Sequence, residues 1–338
     1  MRIIFFGTPE YVLPILEMLH KAFRDKIGKS SGIAAVVTQE PKIAGRDKFL
    51  AYSPVDTWAH KHKIPKFHNP SELVEKEISA DIGVLASYGK IIPKKVLNHF
   101  PFGIINIHPS LLPKFRGASP VQASLISGEN QTGVTFIKLD EELDHGPIIS
   151  QFKEEIQMAD TTESLRNRLF ERSAEVLKTL LPAYLQGKIK PTPQDDKEAS
   201  FTRQLKKEDG FIDPKAIKAA MQGKNSKKKW KIPFIKNYSL VPSAYSLEGF
   251  IRAMQPWPVA WTHINLGKGQ ELKGKRLKIL KAHIDTKDAI RKTQYERSNN
   301  TSPVSRIPYL VMDEVQLEGK NSVTWKQLLE GYPEARLV

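Results

Sequence analysis

A chain of 338 residues, 40% hydrophobic and 26% charged, is long enough for two cored domains and ordinary in composition for a globular protein. It contains no cysteine, which excludes thiol nucleophiles, Cys-ligated zinc, iron–sulfur clusters and disulfides, and suits a cytosolic setting. The formal net charge of +15 is unevenly spread: residues 1–190 carry 25 Lys and Arg against 21 Asp and Glu, and residues 191–338 carry 27 against 16. That asymmetry points the second half toward a large anionic partner, nucleic acid first.

Arg2 to Phe6 reads as a buried first strand, and its apolar run is far too short for a signal peptide or a membrane span. No membrane partner is expected. Val12, Leu13, Leu16 and Leu19 then form an apolar stripe at helical spacing, opened by Pro9. The intervening turn, Gly7-Thr8-Pro9-Glu10, is not Gly-x-Gly-x-x-Gly, so neither NAD nor a flavin is expected. Ile33 to Thr38 is a second strand, followed by a polar, basic loop over 39–48. Pro54 to His62 reads as a helix, Ile64 to Phe67 as a strand, Ser71 to Ile78 as a helix and Asp81 to Ala86 as a buried strand. This alternation predicts a doubly wound, mostly parallel α/β sheet of Rossmann-like type with right-handed crossovers.

The centre of the chain is the stretch from Gly103 to Gly146. Gly103 to Ile107 is short, apolar and β-branched between Pro101 and Pro109, as a buried strand reads. Alternation along it puts Asn106 and His108 on one face. Gly133 to Leu139 is a further strand and leads through an acidic run to Asp144. Asn, His and Asp together can hold a carbonyl oxygen, polarise it and handle a proton, the minimum set for acyl or formyl transfer to an amine. Equally, Asn can cap a turn, His can be a packing residue and Asp144 a turn residue. His145 sits beside Asp144 and can share its work.

Ser119 to Ile126 reads as a helix, and Asp160-Thr161-Thr162-Glu163 as a capped helix start whose stripe, Leu165, Leu169, Ala174, Leu177 and Leu181, runs to Gly187. Residues 1–187 are expected to form the catalytic domain. Pro191 and Pro193 mark a linker over 188–208, and 209–338 a smaller basic domain. Within it, Lys224 to Lys231 is a basic run around Trp230 that can grip phosphates or simply be solvated. Strands over Leu277 to His283 and Tyr309 to Met312 suit a small β-barrel of OB-like type, closed by a last strand and short helix near Val323 to Leu329. With no dense His or Cys cluster, no metal is expected.

The string Asn106-Ile107-His108-Pro109-Ser110-Leu111-Leu112-Pro113, then Arg116-Gly117, with Asp144 downstream, resembles the signature of the folate-dependent formyltransferases. Within that family the likeness is to members that formylate methionyl initiator tRNA, and it runs from the first strand to the Pro256-Trp257-Pro258 element near the C-terminus. The resemblance implies catalytic roles for Asn106, His108 and Asp144, and 10-formyltetrahydrofolate as co-substrate. It implies a folate pocket lined by Tyr88, Gly89, Ile91 and Ile92, largely through backbone groups, and by the loop Ser110, Leu111, Leu112, Pro113, Arg116 and Gly117. It implies that Lys42 and Arg46 in the early loop, and Lys227, Lys228, Lys229 and Lys231, meet the RNA. The chain is expected to act as a cytoplasmic monomer.

Overall fold

The computed structural model describes residues 1–23, 31–44, 49–226, 228–267, 274–288 and 306–338. They divide into two compact units.

The first unit is built on a seven-stranded sheet. Ile3–Gly7 (β1) is buried at every position, as a strand covered on both faces must be. After a single helical turn at Glu10–Val12, Leu13–Ala22 (α1) follows with a proline in its first turn. Ile33–Val37 (β2) comes next, then a small antiparallel hairpin, Lys42–Ala44 (β3) with Phe49–Ala51 (β4), inside what the sequence suggests is plain loop. Its strands are three residues each and largely exposed, so no alternating burial signals them. Pro54–Lys61 (α2), Lys66–Phe67 (β5), the one-turn helix Glu72–Glu75 (α3), Ile82–Ala86 (β6) and Lys94–Leu97 (α4) lead to Ile104–His108 (β7). Beyond it lie Arg116–Gly117 (β8), Pro120–Ser127 (α5), Gln131–Lys138 (β9), Ile148–Glu155 (β10) and the long helix Thr162–Leu185 (α6), of which α5 past Pro120 and the first two residues of α6 group with the second unit.

The strand order is β10-β9-β7-β6-β1-β2-β5. Pairings from β5 through β7 are parallel, whereas β9 runs antiparallel to β7 and β10 to β9. The sheet is thus doubly wound and mostly parallel, as the alternation of elements requires. β10 went unread in the sequence because, past Ile149, none of its positions is buried: partly buried and exposed residues alternate, and all but Phe152 are Ser, Gln, Lys or Glu, a polar edge strand. The core on one side gathers Ile4, Phe6, Val37, Leu73, Val96, Phe100 and Tyr88.

One polar cluster is built into this unit. Asp56, with a side chain only 2% exposed, accepts from Lys66 Nζ at 2.5 Å and pairs with His68 Nε2 at 2.7 Å. Burial works to raise its carboxyl, but the hydrogen bonds from Lys66 and His68 outweigh it and hold Asp56 below the usual carboxylate range. A lowered folded value means the contribution is complete above the ordinary carboxylate pKa, near 3.9, and is lost as pH falls through the folded one. Asp56→Ala is therefore expected to cost about 2–3 kcal/mol at neutral pH, because Lys66 and His68 lose the carboxylate they share. The gap from wild type should shrink below about pH 4 in denaturant titrations; a gap constant with pH would contradict the ion-pair account.

The second unit takes in Phe201–Thr202 (β11) at its border and then Pro214–Met221 (α7), Trp230–Lys231 (β12), Ser239–Leu240 (β13) and Ala244–Ala253 (α8). Ala260–Asn265 (β14), Lys275–Asp288 (β15), Arg306–Leu317 (β16), Ser322–Thr324 (β17), Trp325–Gly331 (α9) and Arg336–Leu337 (β18) complete it. Its five-stranded antiparallel sheet has the order β17-β16-β15-β14-β18. The β15–β16 ladder shifts register between Ile279 and Lys281 and again between Lys281 and Ala282, the bulges that bend long strands.

Candidate active site

β7 places the two polar side chains. Asn106 pairs in register with Leu85 of β6, and both Asn106 and His108 are buried, at 7% and 4% exposure. Asp144 arrives from the loop between β9 and β10 and adopts φ +48, unusual for a side-chain-bearing residue and common where function holds the backbone. Gly146 makes that turn feasible: a Cβ there would meet the Lys138 carbonyl oxygen at 1.9 Å.

Three groups converge on the Asp144 carboxylate. Asn106 Nδ2 donates to Oδ1 at 3.1 Å, the Gly117 amide donates to Oδ2 at 2.8 Å, and His108 Nδ1 stands 3.4 Å from Oδ2. His108 Nε2 lies 3.0 Å from the Phe115 carbonyl, which only accepts, so this nitrogen carries a hydrogen. Both ring nitrogens are thereby engaged. The Asn106 amide has two hydrogens and gives one to Asp144. Such a site offers a directed amide donor, an imidazole and a carboxylate in mutual contact, which is enough to stabilise an oxyanion and to accept or pass on a proton.

The surrounding residues were not legible in the sequence. Thr135 of β9, opposite His108, donates to the Ser110 carbonyl at 2.7 Å and accepts from the Leu112 amide at 3.0 Å and from Gln151 Nε2 at 2.7 Å. Gln194 Nε2 donates to the Asp144 and Gly146 carbonyls, each at 2.8 Å. Gln194 is held in turn by Arg116, whose guanidinium also meets Asp196 at 2.8 Å. The Arg116 partnership lowers the Asp196 carboxyl below its usual value. Thus the stretch 188–198, expected to be linker, packs back onto the site, with Thr192 paired to Ile148 through both backbone hydrogen bonds. A single Gln 50 residues from its partner carries no local signal. His145 turns onto Asp140 at 2.7 Å, and the hydrogen bond its ring donates to that carboxylate raises its pKa.

Of the expected folate residues, Ser110, Leu112 and Arg116 are buried, Leu111, Pro113 and Gly117 are partly so, and all form the loop that shields His108. Arg116 is engaged internally by Gln194 and Asp196. On the loop after β6, Gly89 has φ +78, Ile91 is 93% exposed and Ile92 is partly buried. The Tyr88 ring lies in the core: its hydroxyl is buried without a hydrogen-bond partner among the described residues, and burial pushes its pKa up to about 12. Its carbonyl accepts from Thr8 and Gln39. A cleft of about 980 Å³ lies toward the start of β7, bounded by Gly103, Lys138 and the turn Asp140 to Glu142, and crossed by the Lys94–Glu141 ion pair at 2.6 Å. Asn106, His108 and Asp144 are not among its lining residues.

Among the expected RNA contacts, Lys42, Lys228, Lys229 and Lys231 are exposed, while Arg46 and Lys227 lie outside the described residues. Trp230 packs its ring on Phe250, centroids 4.6 Å apart, and so anchors the basic run. Among the described residues no cluster of three or more His, Asp or Glu is arranged to hold a metal, and no helix is long and apolar enough to cross a membrane.

Residues 1–181 match the formyl transferase family, and residues 242–333 match the formyl transferase C-terminal domain. The methionyl-tRNA formyltransferase of Chloroflexus aggregans is 36% identical over 295 residues, covering 86% of this chain and 82% of that protein. That of Lachnospira eligens is 35% identical over 347 residues, covering 98% and 96%. The fold is shared with the N-formyltransferase of Helicobacter canadensis solved with folinic acid and dTDP-3-aminofucose: TM-score 0.57, 16% identity, covering 85% of this chain and 89% of that one.

Proposed function

Because the chain belongs to the formyl transferase family, we propose that it moves a formyl group from 10-formyltetrahydrofolate to the α-amine of methionine esterified to initiator tRNA, for translation initiation in the cytoplasm. The observation that carries this reading is the convergence of Asn106 and His108 on Asp144, in a chain whose relatives of matching length bear that activity in their names.

When bound, 10-formyltetrahydrofolate supplies the formyl carbon. The residues fit such a donor: exposed Ile91 and partly buried Ile92 offer apolar contact, and Gly89, at φ +78, brings backbone close to a flat ring. As the amine attacks, negative charge grows on the formyl oxygen, and the second amide hydrogen of Asn106 meets it. His108 becomes a second donor when Nε2 exchanges the Phe115 carbonyl for that oxygen. Asp144 fixes both side chains and accepts the proton that the amine gives up, passing it toward the folate nitrogen from which the formyl group departs. The C–N bond to the new amide forms as the C–N bond to folate breaks, so one proton lost at the amine balances one gained at the donor.

In the same reading, residues 1–187 form the catalytic domain and 209–338 the RNA-binding domain, with Lys42, Lys228, Lys229 and Lys231 meeting phosphates. The protein acts as a monomer and needs no metal. The test mixes purified protein, 10-formyltetrahydrofolate and methionyl-tRNA and looks for N-formylmethionine on the released aminoacyl group. Loss of one oxyanion donor costs about 10²–10³ in rate, so Asn106→Ala should form product at that reduced level with the fold kept. Wild-type turnover by the variant would sink the site assignment; formylation of small amines alone would sink the acceptor.

A further inference from the structure

The segment that leads out of the first unit carries one side chain placed to act on the reaction from outside it. From Thr192 to Glu198 every residue is exposed except Gln194, which is partly buried. Its amide is engaged at both ends. Oε1 accepts from Arg116 Nε at 3.0 Å and Nη2 at 2.8 Å, while Nε2 donates to the Asp144 and Gly146 carbonyls at 2.8 Å each. A guanidinium only donates and a carbonyl only accepts, so the amide is held one way round.

The two carbonyls belong to the turn that delivers the catalytic carboxylate. The sheet closes this turn at its base, where the Lys138 amide donates to the Pro147 carbonyl at 3.0 Å. The Asp140 carboxylate ties its outer part, through the Glu142 amide at 3.0 Å and His145 Nδ1 at 2.7 Å. Gln194 ties the peptides that follow Asp144 and Gly146. Between these ties Asp144 stands at φ +48, a conformation that a residue with a side chain keeps only when its surroundings over-determine it. From there its carboxylate reaches Asn106 Nδ2 at 3.1 Å and the Gly117 amide at 2.8 Å. Without the Gln194 amide the two carbonyls lose their donor, the backbone is free to relax, and the carboxylate retreats from both partners.

Resting on the formyl transfer proposed above, we infer that Gln194 is a positioning residue of that reaction. It works through Asp144: its NH₂ group sets the turn from which the carboxylate aligns Asn106 and takes the proton, and Arg116 aims the amide.

Two substitutions separate this role from simple docking of the segment. Gln194→Glu has the same shape and keeps an oxygen for Arg116, but it sets an acceptor against two carbonyls. Gln194→Met keeps the length and loses both ends. If the side chain only docked the segment through Arg116, the Glu variant would match wild type and only the Met variant would suffer. Positioning requires both to lose: kcat with methionyl-tRNA should fall about 10- to 100-fold, roughly the effect of two hydrogen bonds, with both KM values within about twofold of wild type. Amide exchange gives a readout that general destabilisation does not copy. The Gly117 amide donates to Asp144 Oδ2 and the adjacent Arg116 amide to the Ser200 carbonyl, both at 2.8 Å. In Gln194→Glu bearing isotope-labelled glycine and arginine, exchange at Gly117 should quicken by about tenfold while Arg116 keeps the wild-type rate. The same two amides decide for Gln194→Met should the Glu variant not fold. Turnover of Gln194→Glu within about threefold of wild type, KM values that account for the loss, or Gly117 exchange that is unmoved or quickens only together with Arg116 overturns the inference alone. Wild-type protein that does not formylate methionyl-tRNA overturns the acceptor reading and the inference with it.

Discussion

Asp144→Asn should lower turnover by about 10³–10⁴, the scale seen when an orienting carboxylate in a hydrogen-bonded catalytic set becomes an amide. The reason is a conflict of donors. Oδ1 of Asp144 accepts from Asn106, and Oδ2 accepts from the Gly117 amide and faces His108. An amide has one oxygen, so whichever partner it keeps, its NH₂ confronts the other N–H. Asn106 or the Gly117 backbone must move, and the donor meant for the formyl oxygen moves with it. The substituted side chain also cannot accept the proton leaving the amine. Single-turnover formylation at saturating donor checks this, because it separates the chemical step from binding. Turnover within tenfold of wild type would mean that Asp144 neither aligns Asn106 nor handles the proton.

The same carboxylate shows where sequence reasoning reached and where it stopped. Asn106 and His108 were legible because period-two alternation alone puts i and i+2 on one face of β7, and the prolines at 101 and 109 delimit the strand. The parallel sheet was legible because apolar strands alternate with capped helices. What could not be read is pairing between distant side chains. Gln194 reaches Asp144 and Gly146 across about 50 positions, and Arg116 is committed to Gln194 and Asp196; spacing predicts neither. The Tyr88 ring goes to the core while its backbone stays at the sheet edge. The resemblance identified the loop, and only packing decides which atoms of it face a ligand.

Affinity for methionyl-tRNA is expected to fall by about 10³–10⁵ between ~50 and 200 mM salt, if 6–10 phosphates are met. The charge that would do this is concentrated: residues 191–338 hold 27 basic against 16 acidic side chains, and Lys228, Lys229 and Lys231 are exposed beside a Trp230 ring fixed on Phe250. A rigidly anchored basic run loses less entropy on binding than a free tail does, so each lysine that meets a phosphate should register in the salt slope. Replacing Lys228 and Lys229 together by Ala should flatten the slope of log Kd against log salt by about 1–2, roughly 0.9 for each phosphate that no longer meets a lysine. Asn106→Ala should leave the slope unchanged, because it acts on the oxyanion and not on the RNA backbone. Filter binding or fluorescence titration at four salt concentrations is sufficient. A shallow wild-type slope, with formylation intact, would mean that the acceptor is held almost wholly by its aminoacyl end; the excess charge of the second unit would then serve solubility, and a small amine would become the better acceptor.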